Sequence, residues 1–206
     1  MLDKACLADG KGCSGPGNPL SPPYADENGK IFVITYSASD DQHVPAGGIH
    51  WDDVVAGTEP FERDFLIDII RGGCYNCWDA SGVDYNLSHL LEDFENDVDH
   101  GTYNTVVVGW VRYSDYYKGI ARIDGHYSVI AESRPPWFLN YPNDAVVQHE
   151  ISHNFDAEDG KCTDQCQGEC VMNYYYAFRG TDKWCTYHGV RVMLGVCGPH
   201  SPWDIR

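Results

Sequence analysis

The chain has 206 residues, enough for one domain with a substantial core or for a main lobe and a smaller one. Its formal net charge of −17 argues against nucleic acid or an anionic membrane surface as a partner. No stretch approaches the roughly 20 apolar residues of a membrane span, so no membrane partner is expected and the chain reads as a globular monomer.

Residues 1–29 are rich in Gly and Pro (Gly15-Pro16-Gly17-Asn18-Pro19, then Pro22-Pro23) and read as an irregular N-terminal extension. Ile31-Phe32-Val33-Ile34-Thr35-Tyr36 is a buried strand. Phe61, Phe65, Leu66, Ile69 and Ile70 recur at helical spacing and predict a helix from Phe61 to Ile70. Thr105–Val111 and Tyr127–Ala131 are two further buried strands, and Gly119-Ile120-Ala121-Arg122 is a candidate edge strand. A helix follows from about Asp144 to Phe155, with Asn143 or Asp144 as its N-cap and Val146, Val147 and Ile151 toward the core. Thr186–Leu194 reads as a closing helix. Strands interleaved with helices and followed by consecutive strands fit a mostly parallel sheet with one antiparallel edge.

The informative stretch is His149-Glu150-Ile151-Ser152-His153. Positions i and i+4 lie on one helical face, so His149 and His153 can aim two imidazoles at one metal ion. Glu150, one residue further round, is placed to take a proton from a metal-bound water. An amphipathic helix with two exposed His is the plain alternative. Downstream come Asp156, Glu158 and Asp159, and then Cys170-Val171-Met172-Asn173-Tyr174.

The zinc-type helix followed by this Met-containing segment resembles the metzincin zinc peptidases. The resemblance spans about residues 30 to 195 but is specific only over 149–159 and 170–174. It implies an α+β fold: a mostly parallel sheet, one antiparallel edge strand that pairs with substrate, a long active-site helix and a small C-terminal lobe. The catalytic domain would then be residues 30–206, with an N-terminal lobe of 30–156 and a C-terminal lobe of 157–206. The family's third zinc ligand lies six residues after the second His, at Asp159 here, where the usual residue is His. Secreted snapalysins are similar in having Asp there, and Glu158 and Asp156 are the competing ligands. Asp156 stands where the family has the Gly that turns the chain off the helix, and Asp tolerates that left-handed backbone better than most residues. Met172 would be an apolar floor beneath the metal. Met-x-Tyr resembles astacins and serralysins, which makes Tyr174 a candidate oxyanion donor.

The expectation is a zinc-dependent endopeptidase acting on protein or peptide, with zinc on His149, His153 and Asp159, and with Glu150 as general base. Two alternatives use the same residues: a secreted zinc-binding module without turnover, and a metallohydrolase of non-peptide amides. Nine Cys (Cys6, Cys13, Cys74, Cys77, Cys162, Cys166, Cys170, Cys185, Cys197) suggest disulfides and an oxidising compartment. Met1-Leu2-Asp3-Lys4-Ala5-Cys6 does not resemble a signal segment, so the expectation is a secreted chain whose signal lies outside this sequence. A second, structural zinc on Cys74-x-x-Cys77 with other cysteines is the competing reading. The remaining His lack paired spacing and read as surface or hydrogen-bonded residues. Asp40-Asp41 and Asp52-Asp53 lack the spacing of a calcium loop.

Overall fold

The computed structural model describes residues 30–101, 104–133, 142–160, 169–177 and 179–197, apart from the side chains at 74, 75, 174, 175 and 197. The expected irregular extension at 1–29 lies outside these residues, as do Cys6, Cys13, Cys162 and Cys166. The elements in chain order are β1 (Lys30–Ala38), α1 (Trp51–Phe65), β2 (Asp68–Trp78), α2 (Leu87–Asp97), β3 (Thr105–Tyr113), β4 (Gly119–Ala121), β5 (Tyr127–Ser133), α3 (Asn143–Asn154), α4 (Tyr174–Ala177) and α5 (Thr186–Cys197).

Five strands form one sheet in the order β2-β1-β3-β5-β4. β1 pairs in parallel with β2 and β3, β3 pairs in parallel with β5, and β4 alone runs antiparallel, on β5. The mostly parallel sheet with one antiparallel edge is therefore present, and Gly119–Ala121 is that edge.

Alternation along the strands sorts the core into two layers. Ile31 and Val33 of β1, Val106, Val108 and Trp110 of β3, and Ile130 of β5 share one cluster with Val54 and Phe61 of α1 and Val147 and Ile151 of α3. Phe32, Ile34, Val107, Val111, Val129 and Ala131 point the other way, onto Leu87, Leu90, Leu91 and Phe94 of α2. Burial on both faces is why these strands read as continuous apolar runs rather than as alternating ones.

The expected helix from Phe61 to Ile70 is corrected. Helix α1 stops at Phe65, Leu66 adopts a left-handed backbone at φ 57°, and a strand follows. Ile67 and Ile69 are buried while Asp68 between them is exposed, which is a period of two. The apolar spacing that suggests a helix is the sum of a helix end and a strand start. Helix α2 is an addition to the expected elements. Its buried Leu87, Leu90, Leu91 and Phe94 follow i, i+3, i+4, i+7, and the Asn86 side chain caps it by accepting from the Ser88 amide at 2.9 Å.

Helix α3 spans nearly the expected residues, but its N-cap is Pro142 and neither Asn143 nor Asp144 serves in that position. Asn143 instead donates to Asp53 Oδ2 at 2.9 Å, which ties the start of α3 to α1. The two helices cross at Gly57, where a Cβ would lie 2.5 Å from the Asp144 carbonyl oxygen and 2.7 Å from Val147 Cβ. That close approach requires glycine and fixes the height of α3 over the sheet. Among the described residues, no helix is long and apolar enough to cross a membrane.

Candidate metal centre

Residues Ala145 to Asn154 of α3 are all buried, and the reason is that each side of the helix has its own partner. Val147 and Ile151 face the core. Gln148 Nε2 donates to the Asp182 carbonyl at 3.0 Å, and Ser152 Oγ accepts from Trp184 Nε1 at 2.9 Å. Asn154 Nδ2 donates to the carbonyls of Arg122 and Tyr127, both at 3.1 Å, and so joins the helix to the β4–β5 hairpin. His149 and His153 occupy the remaining side, only 3% and 7% exposed. The alternative of an amphipathic helix with two exposed His is thereby excluded.

The ring nitrogens of the two His have opposite environments. His149 Nδ1 lies 2.9 Å from the Val171 carbonyl oxygen, and His153 Nδ1 lies 2.6 Å from that of Ala157. A carbonyl oxygen can only accept, so each Nδ1 carries the proton and donates. Each neutral ring then has its lone pair on Nε2. These two Nε2 atoms lie 3.1 Å apart, and Asp159 Oδ1 is 3.2 Å from the first and 3.5 Å from the second. Three acceptors converge on one point, an arrangement that repels itself unless a cation or a proton sits among them. The backbone carbonyls fix the tautomer that a His-ligated metal requires. Two imidazole nitrogens and one carboxylate oxygen form a donor set that suits zinc and leaves a fourth position open. The group can hold a metal ion, and Asp159, with its side chain 55% exposed, leaves it accessible from solvent.

The loop that brings Asp159 to the two His is built from local backbone features. Asp156 has φ 67°, the left-handed conformation for which glycine is usual. Its carboxylate meets Arg191 Nη2 of α5 at 3.0 Å, and Arg191 Nε donates to its carbonyl oxygen at 3.3 Å. Of the three neighbouring acids, Asp159 is the one that joins the His pair, while Asp156 is held by Arg191 and Glu158 is exposed. Met172 is fully buried, and its carbonyl accepts from the Gly160 amide at 2.8 Å, next to Asp159. Because the Val171 carbonyl also holds His149, the Met-containing segment supports the site through its backbone. Tyr174 begins α4, and its side chain lies outside the described residues.

The charges are coupled. Burial works to lower the His149 pKa, but the hydrogen bond that its protonated ring donates to Asp159 and the nearby charge of Glu150 outweigh it, and the net direction is up. Burial pushes the Asp159 carboxyl up, and hydrogen bonds from His149 and His153 more than reverse this, holding it well below the usual carboxylate range. Glu150, 3% exposed, is raised by desolvation although both His pull it down. A divalent cation at the trio would favour its ionised, proton-accepting form.

A second group comes together behind the first. His188 Nδ1 lies 3.3 Å from Cys170 Sγ and 3.2 Å from Cys185 Sγ. His188 is 3% exposed and not a surface residue, and the three side chains form a group that can hold a metal ion. Cys170 is a buried thiol, and Cys185 would serve as a ligand only in its reduced form. The sequence signal for this cluster is Cys185-Thr-Tyr-His188, a Cys-x-x-His spacing separate from Cys74-x-x-Cys77.

No protein-family model matches the chain, and no curated protein sequence matches it. Solved structures do. The chain is similar to archaemetzincin from Methanopyrus kandleri (TM-score 0.58, 16% identity, 82% of this chain and 96% of that one). It is also similar to a zinc-dependent peptidase from Methanocorpusculum labreanum (TM-score 0.51, 13% identity, 78% and 99%). Metalloproteinase-II from Bacteroides fragilis has a TM-score of 0.51 at 15% identity, over 84% of this chain and 54% of that one. At these identities the likeness is one of fold.

Proposed function

We propose that the chain is a zinc-dependent endopeptidase of the metzincin type. The observation that carries this reading is the convergence of two tautomer-fixed Nε2 atoms and the Asp159 carboxylate, with a buried carboxylate, Glu150, one residue beyond His149 on the same helix. His149, His153 and Asp159 would hold the metal. Zinc, when bound, supplies Lewis-acid polarisation of a carbonyl and lowers the pKa of water at its open position. Glu150 takes the proton of the attacking water and passes it to the departing amine. Met172 provides an apolar floor. The names of the similar structures, a zinc-dependent peptidase and a metalloproteinase, agree with this chemistry. A binding module without turnover is disfavoured by Glu150, since holding a metal needs no buried base beside it.

The test is a peptide-library digest with and without a chelator. Cleavage that chelator abolishes and added zinc restores is the expected result. Stoichiometric zinc with no cleavage of any library member would favour the binding module. We place the chain in an oxidising, extracellular compartment on its cysteine content. Alkylation without reduction should then leave at least six of the nine cysteines unmodified. Extensive alkylation with more than one zinc per chain would instead point to the Cys170/Cys185/His188 group as a metal site.

Tyr174 is assigned to the oxyanion. A phenol O–H near the metal would donate to the charge that develops in the transition state. Tyr174→Phe is expected to lower kcat by about 10²–10³-fold, the usual cost of losing one such donor, with KM and zinc content little changed. Tyr175→Phe should do neither. A kcat for Tyr174→Phe within about threefold of wild type, well under that range, would make the tyrosine structural.

A further inference from the structure

In strand β4 the side-chain direction alternates, so Gly119 and Ala121 share one face and Ile120 takes the other. Ile120 packs on the layer that contains α2. Gly119 therefore faces α3, and Glu150 lies against it. A Cβ on Gly119 would sit 2.3 Å from Glu150 Oε1 and 2.7 Å from both Cδ and Cγ. All three nearest atoms belong to this one side chain, and none is backbone. Gly119 is not among the glycines with positive φ, so the strand backbone at this point would accept an L-residue. Glycine is needed here for space alone, and the group in that space is the carboxylate of Glu150.

The surroundings make the contact exacting. Gly119 pairs with Ile130, and the Ala131 amide donates to the Lys118 carbonyl at 2.8 Å, so the start of β4 is fixed against β5. On the helix, Asn154 lies one turn beyond Glu150 on the same side, and its amide is bonded to the hairpin carbonyls of Arg122 and Tyr127. The Asp124 amide adds a third bond, to the His153 carbonyl, at 3.0 Å. Strand and helix are thus clamped at a spacing that leaves no room for a Cβ at position 119 while Glu150 keeps its present rotamer. A methyl group at position 119 could not be relieved by moving the backbone without breaking these bonds, so the Glu150 side chain would have to swing.

We infer that Gly119 is a positioning residue: its missing side chain forms the seat that holds the Glu150 carboxylate at the metal site. The inference rests on the peptidase reading for its effect on turnover. Gly119→Ala should leave the fold and zinc content intact and displace the carboxylate by about 1 Å, which costs on the order of 10²-fold in kcat with little change in KM. A crystal structure of the variant should show the Glu150 side chain in a new rotamer.

A stability comparison separates this inference from the peptidase reading. In the wild-type background Gly119→Ala should lower Tm, because the site becomes overpacked. In a Glu150→Ala background the same change should leave Tm unchanged or raise it, because the methyl enters the space the carboxylate left. Equal Tm shifts in the two backgrounds, or an unmoved carboxylate with unchanged kcat, would overturn the inference. Coupled Tm shifts in a chain that cleaves no peptide would uphold the seat and overturn the peptidase reading instead.

Discussion

Glu150→Ala is expected to abolish detectable peptide hydrolysis while the protein keeps its zinc. The two halves of that result have separate physical grounds. Glu150 is not part of the group formed by His149, His153 and Asp159, so the three donor atoms remain when it is removed. Their orientation also survives, because it is set by the Val171 and Ala157 carbonyls and not by Glu150. On the proposed mechanism, turnover should depend on it. A positioned general base contributes about 10²–10⁴-fold, and among the described residues no other carboxylate is buried beside the two His. Metal analysis and a kcat/KM measurement on the same preparation test both halves. Full turnover in Glu150→Ala would end the mechanism. Loss of zinc along with activity would mean that Glu150 acts as a ligand, against the geometry. Glu150→Gln is a useful companion, since it keeps the shape of the side chain in its seat on Gly119 and removes only the proton acceptor.

The part of the site that is legible in the sequence is the part encoded by local periodicity. His149, Glu150 and His153 follow from helical spacing, and Asp159 follows from its distance along the chain in the resembling family. Asp156 also behaves as its position implies, with a left-handed backbone. What escapes a reading of the sequence depends on contacts between distant segments. The boundary between α1 and β2 is hidden because Leu66, not glycine or asparagine, takes the left-handed turn, so the apolar pattern of Phe61 to Ile70 appears unbroken. The N-cap of α3 is misread because Asn143 is engaged with Asp53 of α1, a partner 90 residues away. His188 shows only a Cys-x-x-His spacing with Cys185 until Cys170, 18 residues earlier in the chain, is seen beside it. The match between Gly119 and Glu150 has no local signature, since neither residue's neighbours in sequence indicate that an edge strand will lie against the helix.

Asp159→Ala should lose zinc far more readily than Asp156→Ala or Glu158→Ala. Removing a partner outside the ligand set typically costs about 10–100-fold in metal affinity, so loss of a direct ligand should exceed that range. Asp156→Ala belongs to the milder class, because its carboxylate is spent on Arg191 and acts only by holding the turn. Glu158 is exposed and outside the group, so its removal should leave zinc content unchanged. The dependence on pH has a definite sign. Protons and zinc compete for His149 Nε2, and the His149 pKa lies above its ordinary value, with the Asp159 hydrogen bond the largest cause acting upward. Zinc affinity in the wild type should therefore fall as pH drops through that raised value and recover above it. In Asp159→Ala the largest cause of the elevation is gone, and the pH at which the remaining affinity begins to fall should move down even though affinity is lower throughout. Zinc titrations of the wild type and the three variants across a pH series read out both effects. Equal zinc content in Asp159→Ala and wild type would remove Asp159 from the ligand set, and an unshifted pH dependence would show that its carboxylate does not act on His149.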